Sequence, residues 1–330
     1  MSNYKPPFTI SNKMIDAISS ISERVGKISS YNNFETKPQL RKNNRIKSIH
    51  SSLAIEANSL TLNDVRDVIN GRIVLGPQNE IQEVKNAYKA YEEIDKVDPY
   101  NSDELRRMHG VMTYLTVEES GEFRSRNEGV FDGDKCIFMA PTPQLVPELV
   151  GNLFNWMQTA KEEIHPLILS SVFHYELVFI HPFADGNGRM ARLWQTIILS
   201  KWKEVFQFLP IESRIKEFQE EYYNAIAKCN ASGNSNTFIE FMLEVVDNTL
   251  CDVEKQASSP EYQISEYVDK LNRVMDFEVP YTANAILDKL HLKSKETLRK
   301  NYIDPALEMG IIVMTEPDKP TSRNQRYIKK

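Results

Sequence analysis

Twelve consecutive residues gather an imidazole, a carboxylate, two glycines and two guanidiniums: His181-Pro182-Phe183-Ala184-Asp185-Gly186-Asn187-Gly188-Arg189-Met190-Ala191-Arg192. Gly186 and Gly188 lack Cβ atoms, so the backbone can turn sharply and expose successive N–H groups. A helix beginning there points its N-terminal donors and dipole into the same space. Arg189 and Arg192 stand three apart and share a face of that helix. Amide nest and paired guanidiniums together suit a polyanion with several phosphates. Asp185 is a hard oxygen ligand, and one carboxylate with phosphate oxygens and waters is how Mg²⁺ is usually held. His181 titrates near neutrality and suits a general base for a hydroxyl nucleophile. Singly, these are a loop histidine, a turn and a solvated helix face; within twelve residues their joint chemistry is phosphoryl or nucleotidyl transfer.

The elements that must hold this loop are helical. Apolar residues at i, i+3 and i+4 predict helices over 41–55, 80–94, 102–115, 144–159, 166–180, 188–203, 214–227 and 236–255. The loop therefore lies between two strongly apolar helices that pin its ends. One stretch breaks the pattern: Phe123 to Phe138 carries Asp132-Gly133-Asp134 between apolar residues, which predicts a small two-stranded flap. The other histidines show no ligand spacing, and His109 and His174 fall inside apolar helices as packed core residues.

Composition narrows the class. The chain has 330 residues, 41% hydrophobic and 26% charged, and no apolar run of the ~20 residues that a membrane span needs. Its N-terminus has no apolar signal segment. Three widely spaced cysteines without a CxxC argue against disulfide frameworks and zinc knuckles, and predict a cytoplasmic location. A net charge of −6 does not draw the whole chain onto nucleic acid.

The loop resembles the Fic family signature H-P-F-x-D/E-G-N-G-R-x-x-R and matches every fixed position. The resemblance implies an all-α Fic core that transfers AMP from ATP, with Mg²⁺, to a Ser, Thr or Tyr hydroxyl of a target protein or of itself. By that analogy His181 is the base and Asp185 the metal ligand. The amides of Gly186, Asn187 and Gly188 hold phosphates, Arg189 contacts the triphosphate, and Arg192 anchors the γ-phosphate. The related Doc branch, which phosphorylates, has Lys where this chain has Gly188, so AMP transfer is favoured. Gly121-Glu122-Phe123-Arg124 and the predicted hairpin resemble the family's flap, which aligns a target backbone by strand addition. Tyr223 and Asn230 resemble a family segment near the adenosine. Self-association as a homodimer is common among helix-rich relatives. Transfer of UMP, phosphocholine or phosphate stays open, because the loop reads phosphates rather than the base.

Upstream, Ser51-Ser52-Leu53-Ala54-Ile55-Glu56-Ala57-Asn58 resembles the inhibitory motif S/T-x-x-x-E-G/N of family members with an N-terminal inhibitory helix. The resemblance implies that Ser52 and Glu56 are inhibitory residues, the Glu56 carboxylate reaching Arg192 and filling the fork meant for γ-phosphate. Ala57 departs from the pattern, which has Gly or Asn there.

The Ser/Pro cluster at 256–260 predicts a boundary. Beyond it, helices over 262–275, 282–290 and 295–309, with Pro305 at a kink or end, precede two extended runs, the outline of a winged helix. Residues 261–330 carry 12 Lys and Arg against 11 Asp and Glu. Residues 289–300 hold Lys289, Lys293, Lys295, Arg299 and Lys300 against Glu296 only, and the final stretch adds Arg323, Arg326, Lys329 and Lys330, a basic third helix and wing. That leaves DNA binding, protein docking and dimerisation open. The expected fold is thus mainly α. A Fic domain over 1–257 holds an inhibitory helix at about 42–58, a core at about 80–255 and a short β-hairpin flap; a winged helix-turn-helix domain follows over 261–330. A DNA-binding regulator with the Fic core as sensor is the alternative function.

Overall fold

In a computed structural model, which describes residues 4–30, 38–132, 135–258, 265–276, 279–308, 311–317, 319–320 and 322–329, the helical periodicity becomes a mainly α architecture. The chain enters through α1 (Asn12–Ser30), α2 (Pro38–Ile55), α3 (Leu62–Ile69), α4 (Gln78–Glu92) and α5 (Ser102–Met112). A hairpin follows, β1 (Gly129–Asp132) with β2 (Lys135–Met139), then α6 (Val146–Ala160), α7 (Pro166–Ile180) and α8 (Asn187–Trp202). α9 (Ile211–Glu217), α10 (Gln219–Ser232) and α11 (Asn236–Ser258) complete this part. Two units form: Met1–Val25 with Asn44–Cys251, and Gly26–Asn43 with Asp252–Lys330.

α7 is the axis of the first unit. Apolar residues dominate it, with Ser170, Ser171, His174 and Glu176 buried among them, and such a helix is stable only when other elements cover every face. Pro166 at its first position costs no hydrogen bond, and the His165 ring accepts from the Leu167 amide as cap. Phe173 on α7, Phe154 on α6 and Trp194 on α8 meet with ring centroids 5.5–6.1 Å apart. Burying each such side chain contributes roughly 1.5–3 kcal/mol, so α6, α7 and α8 lock as one block. His109 and His174 are buried, as expected.

The flap forms where the Asp-Gly signal places it. β1 and β2 are antiparallel, Gly129 opposite Met139 and Asp132 opposite Lys135, with a bulge between Val130 and Phe131. The expected turn residues Gly133 and Asp134 lie outside the described residues.

Three departures stand out. The single helix expected over 214–227 is two, because Phe218 (φ −109°, ψ 42°) leaves helical geometry. The break lets Lys216 Nζ donate to the Ala54 carbonyl at 2.9 Å and Gln219 Nε2 to the Ile55 carbonyl at 3.2 Å. Both carbonyls lie in the last turn of α2, where intrahelical donors run out, and the two side chains supply donors there. α1 and α3 were not legible as helices, although Thr61 and Asp64 make a reciprocal capping box at the start of α3.

In the second unit, α12 (Glu266–Val274), β3 (Pro280–Tyr281), α13 (Ala283–Lys289), α14 (Lys295–Leu298), α15 (Asp304–Glu308), β4 (Ile312–Met314) and β5 (Tyr327–Lys329) give a winged-helix-like arrangement. The sheet has a third strand beyond the expected hairpin, in the order β3-β5-β4. A π-helical turn, Arg299–Ile303, separates α14 from α15. It ends two residues before Pro305, whose missing N–H and bulky ring disrupt regular bonding one turn back. Leu271, Ile286, Leu298, Ile303 and Ile312 form the core of this unit.

Candidate active site

The loop between α7 and α8 is held by its own side chains. α7 ends on His181 in a left-handed conformation (φ 52°), and α8 begins after Gly186 (φ 83°). Asn187, which the sequence placed among phosphate ligands, spends its side chain on loop closure. Its Oδ1 accepts from the Phe183 amide at 2.9 Å and its Nδ2 donates to the Phe183 carbonyl at 2.7 Å. Asn187 can offer a phosphate only its backbone N–H. Gly186 donates its N–H to Asp185 Oδ1 at 2.6 Å.

Two further residues fasten the loop, and sequence reasoning had given neither a role there. The His109 ring stacks on Phe183, centroids 3.7 Å apart. Its Nε2 donates to the Asp185 carbonyl at 2.9 Å and its Nδ1 accepts from the Gly121 amide at 2.9 Å. That pairing requires a neutral ring, and burial pushes its pKa down to about 4. Arg124, buried at 2% exposure, donates through Nε to the His181 carbonyl at 2.7 Å, and through its terminal nitrogens to the carbonyls of Arg126 and Pro141. The Arg124 amide also donates to the Pro182 carbonyl at 2.9 Å. The base of the flap is therefore stitched to the loop.

His181 Nδ1 lies 3.3 Å from the Val178 carbonyl. A carbonyl only accepts, so Nδ1 carries the proton and Nε2 keeps its lone pair. Burial lowers the pKa from 6.5, and the Arg124 charge adds to that. At neutral pH the ring is an uncharged base.

Both arginines of the loop already hold carboxylates. Arg192 is buried; its Nε donates to Ser52 Oγ at 3.1 Å, and Nη2 to the Ser52 carbonyl at 2.9 Å and to Glu56 Oε1 at 2.7 Å. Burial opposes its charge, yet the Glu56 carboxylate together with the Tyr222 and Tyr91 hydroxyls raises its pKa. A Cβ on Gly188 would lie 2.3 Å from Glu56 Oε1, so the carboxylate sits against the first turn of α8. It occupies a place where helix dipole and guanidinium both favour an anion. Arg189 donates to Asp185 Oδ2 at 2.7 Å and to Glu83 Oε1 at 3.1 Å. Glu83, on α4, has no counterpart in the sequence signature.

The turn that delivers Glu56 closes with two bonds, Ala57 N–H to the Ala54 carbonyl and Asn58 N–H to the Leu53 carbonyl, at 3.3 and 3.1 Å. This is a Schellman-type helix end with Ala57 at its left-handed position, φ 66°. The pattern's usual Gly or Asn is now explained, since Ala at positive φ is strained by about 1–2 kcal/mol.

Asp185, with 58% of its side chain exposed, is the accessible carboxylate of the loop. Among the described residues no group of three His, Cys, Asp or Glu side chains surrounds a cation site. Mg²⁺ held mostly by phosphate and water needs only one or two carboxylates, so Asp185 fits it. The Tyr223 hydroxyl titrates above its ordinary value through partial burial and then the Glu56 charge. Asn230 instead accepts from the Tyr175 hydroxyl at 2.9 Å, while Tyr222 turns inward onto His174.

Residues 99–199 match the model of the Fic/DOC family, and residues 266–328 match that of the "Filamentation induced by cAMP protein Fic-like, C-terminal domain". A crystal structure of a Fic family protein from Desulfovibrio desulfuricans superposes with a TM-score of 0.75 at 38% identity, covering 99% of this chain and 98% of that one. The chain belongs to the Fic family. The protein adenylyltransferases Fic of Nematostella vectensis and Drosophila melanogaster are each 28% identical to it, over 61% and 71% of this chain and 47% and 45% of their own. This Fic chain thus spans about half the length of the curated relatives it matches. Fic-1 of C. elegans shares the fold, with a TM-score of 0.61 at 20% identity. The Fic/DOC match contains the loop and flap; Ser52, Glu56 and Glu83 lie before it. Among the described residues no helix is long and apolar enough to cross a membrane.

Proposed function

We propose that this protein transfers AMP from Mg-ATP to a Ser, Thr or Tyr hydroxyl of a target protein and of itself, and that Glu56 holds it off at rest. One observation carries the reading. An internal carboxylate sits on Arg192 at 2.7 Å, against the first turn of α8, in a pocket whose chemistry suits a terminal phosphate. The target hydroxyl gives its proton to His181 Nε2 while its oxygen attacks the α-phosphorus. The bond to the β-phosphate oxygen breaks and pyrophosphate leaves. Asp185 would hold Mg²⁺, and the amides of Asn187 and Gly188 with the Arg189 guanidinium bind phosphate oxygens. Bound Mg²⁺ supplies neutralisation of the phosphate charge. Arg192 binds the γ-phosphate once Glu56 has left, and Tyr223 and Asn230 face the adenosine side. The open edge of the flap takes up the target backbone as an added strand.

Incubation with labelled ATP and Mg²⁺, followed by mass spectrometry of the self-modified chain, tests this. Glu56→Gly raises incorporation and His181→Ala abolishes it in either background. The added mass separates AMP from UMP, phosphocholine and phosphate. No gain of label in Glu56→Gly would remove the brake, and label persisting in His181→Ala would remove the base.

A DNA partner is the second reading. Lys293, Lys295, Lys300, Arg323 and Arg326 are all exposed in the second unit, as phosphate contacts require. A gel shift with the full chain that weakens steeply with salt supports it; none at low salt removes it.

A further inference from the structure

Glu83 serves two donors at once. Oε1 accepts from Arg189 Nη1 at 3.1 Å, and Oε2 accepts from Asn58 Nδ2 at 2.8 Å. Asn58 is the residue whose own N–H closes the turn behind Glu56, and its Oδ1 accepts from the Leu60 amide at 3.1 Å. On the other side, Arg189 is 2% exposed and passes Nη2 to Asp185. Its Nε finds no partner among the described residues, so Glu83 and Asp185 are what orient this buried cation. A line of hydrogen bonds therefore runs from the inhibitory turn through Asn58, Glu83 and Arg189 to Asp185.

We propose that Glu83 is a positioning residue with two roles of opposite consequence: through Asn58 it latches the inhibitory turn shut, and through Arg189 it aims a guanidinium at the triphosphate. The proposal rests on the AMP-transfer reading for the second role only. The chemistry demands a carboxylate. Both partners are donors, and only a carboxylate accepts equally at both ends. A glutamine of the same shape offers Arg189 only a neutral acceptor and turns its N–H₂ on Asn58 Nδ2, so the ion pair is weakened and the latch opposed.

The test is Glu83→Gln in two backgrounds. In the otherwise intact chain it frees the turn, and self-labelling from ATP rises by about tenfold, the scale of one lost charge-assisted hydrogen bond. In Glu56→Gly there is no brake to release, so the same substitution lowers labelling and raises KM for ATP. Asn58→Ala separates the roles, raising labelling in the intact chain and leaving Glu56→Gly unchanged. Loss in both backgrounds, or no change in either, overturns the proposal. If Glu56→Gly itself takes no label, the AMP-transfer reading falls, and amide exchange decides the latch. The Ala57 and Asn58 amides must exchange faster in Glu83→Gln than in the natural chain; equal rates overturn it. Should Glu83→Gln fail to fold, the same two amides in Asn58→Ala decide the latch by the same comparison.

Discussion

Glu56 stands where a side chain on residue 188 would be: an added Cβ on Gly188 falls 2.3 Å from Glu56 Oε1 and 3.0 Å from Arg192 Nη1. The carboxylate reaches Arg192 only because position 188 has no side chain. Gly188 therefore bears on the resting state of Glu56.

The two positions must then be energetically coupled. Gly188→Ala alone pushes Glu56 off Arg192, leaves a buried guanidinium short of its partner, and destabilises the fold by about 2 kcal/mol. In Glu56→Gly the obstacle is gone, and the better helix former stabilises α8 by up to about 1 kcal/mol. Urea unfolding of the four chains of this cycle measures the difference. Additive effects would mean that Glu56 does not rest where the structure has it.

Ala57→Gly relieves the left-handed strain at the end of α2. After the greater chain entropy of glycine is discounted, a gain of about 0.5–1 kcal/mol is expected in denaturant unfolding. Resting self-labelling should fall alongside it, because a relaxed turn keeps Glu56 on Arg192. A stabilised chain with unchanged labelling would separate the turn from the brake.

Acid should weaken the fold through neutral, buried histidines. Burial holds His109 at about 4 and His174 at about 3, both below the ordinary 6.5. Below pH 6.5 the unfolded chain takes up protons that these rings refuse. Stability is thus fully present above 6.5 and drains away as pH falls toward 4, by about 1.4 kcal/mol per pH unit for each ring. Protonated His109 would also aim an N–H at the Gly121 amide. Unfolding free energy measured from pH 7.5 to 4.5 shows the slope, and His109→Gln reduces it by one proton.

Arg124→Lys should loosen the loop without removing charge. Lysine cannot span the carbonyls of Arg126, Pro141 and His181 that the guanidinium reaches together. Stability falls by about 2 kcal/mol, the cost of carbonyls left unpaired. In the Glu56→Gly background kcat falls by at least about tenfold, since His181 loses its tether. Unchanged kcat would limit Arg124 to a packing role.

Much of the site was legible because it is local. Glycine spacing, the start of a helix at the second glycine and the i, i+3 arginines lie close together in the chain, and the strongly apolar run of α7 read as a helix that pins the loop. Ser52 and Glu56 were legible as a motif, but the reason for its Gly became visible only with the φ of Ala57. Glu83 left no trace, since its partners lie 25 and 106 residues away and a surface-helix glutamate is the commonest reading of such a residue. His109 was rightly placed in the core, yet its hold on Asp185 is a tertiary fact. The break at Phe218 escaped because helical periodicity continues through it, and what it serves, the carbonyls of Ala54 and Ile55, lies on another helix.

Because Arg124 grips the carbonyl of His181 with one nitrogen and the strands' approach with the others, flap and base behave as a jig and its cutter on one bed. Under the proposed transfer to a protein hydroxyl, a peptide laid along the flap would be measured off from His181 in steps of one residue. Which hydroxyl of a target is presented then becomes a question of register, set by the neighbouring backbone as much as by the hydroxyl's own side chain.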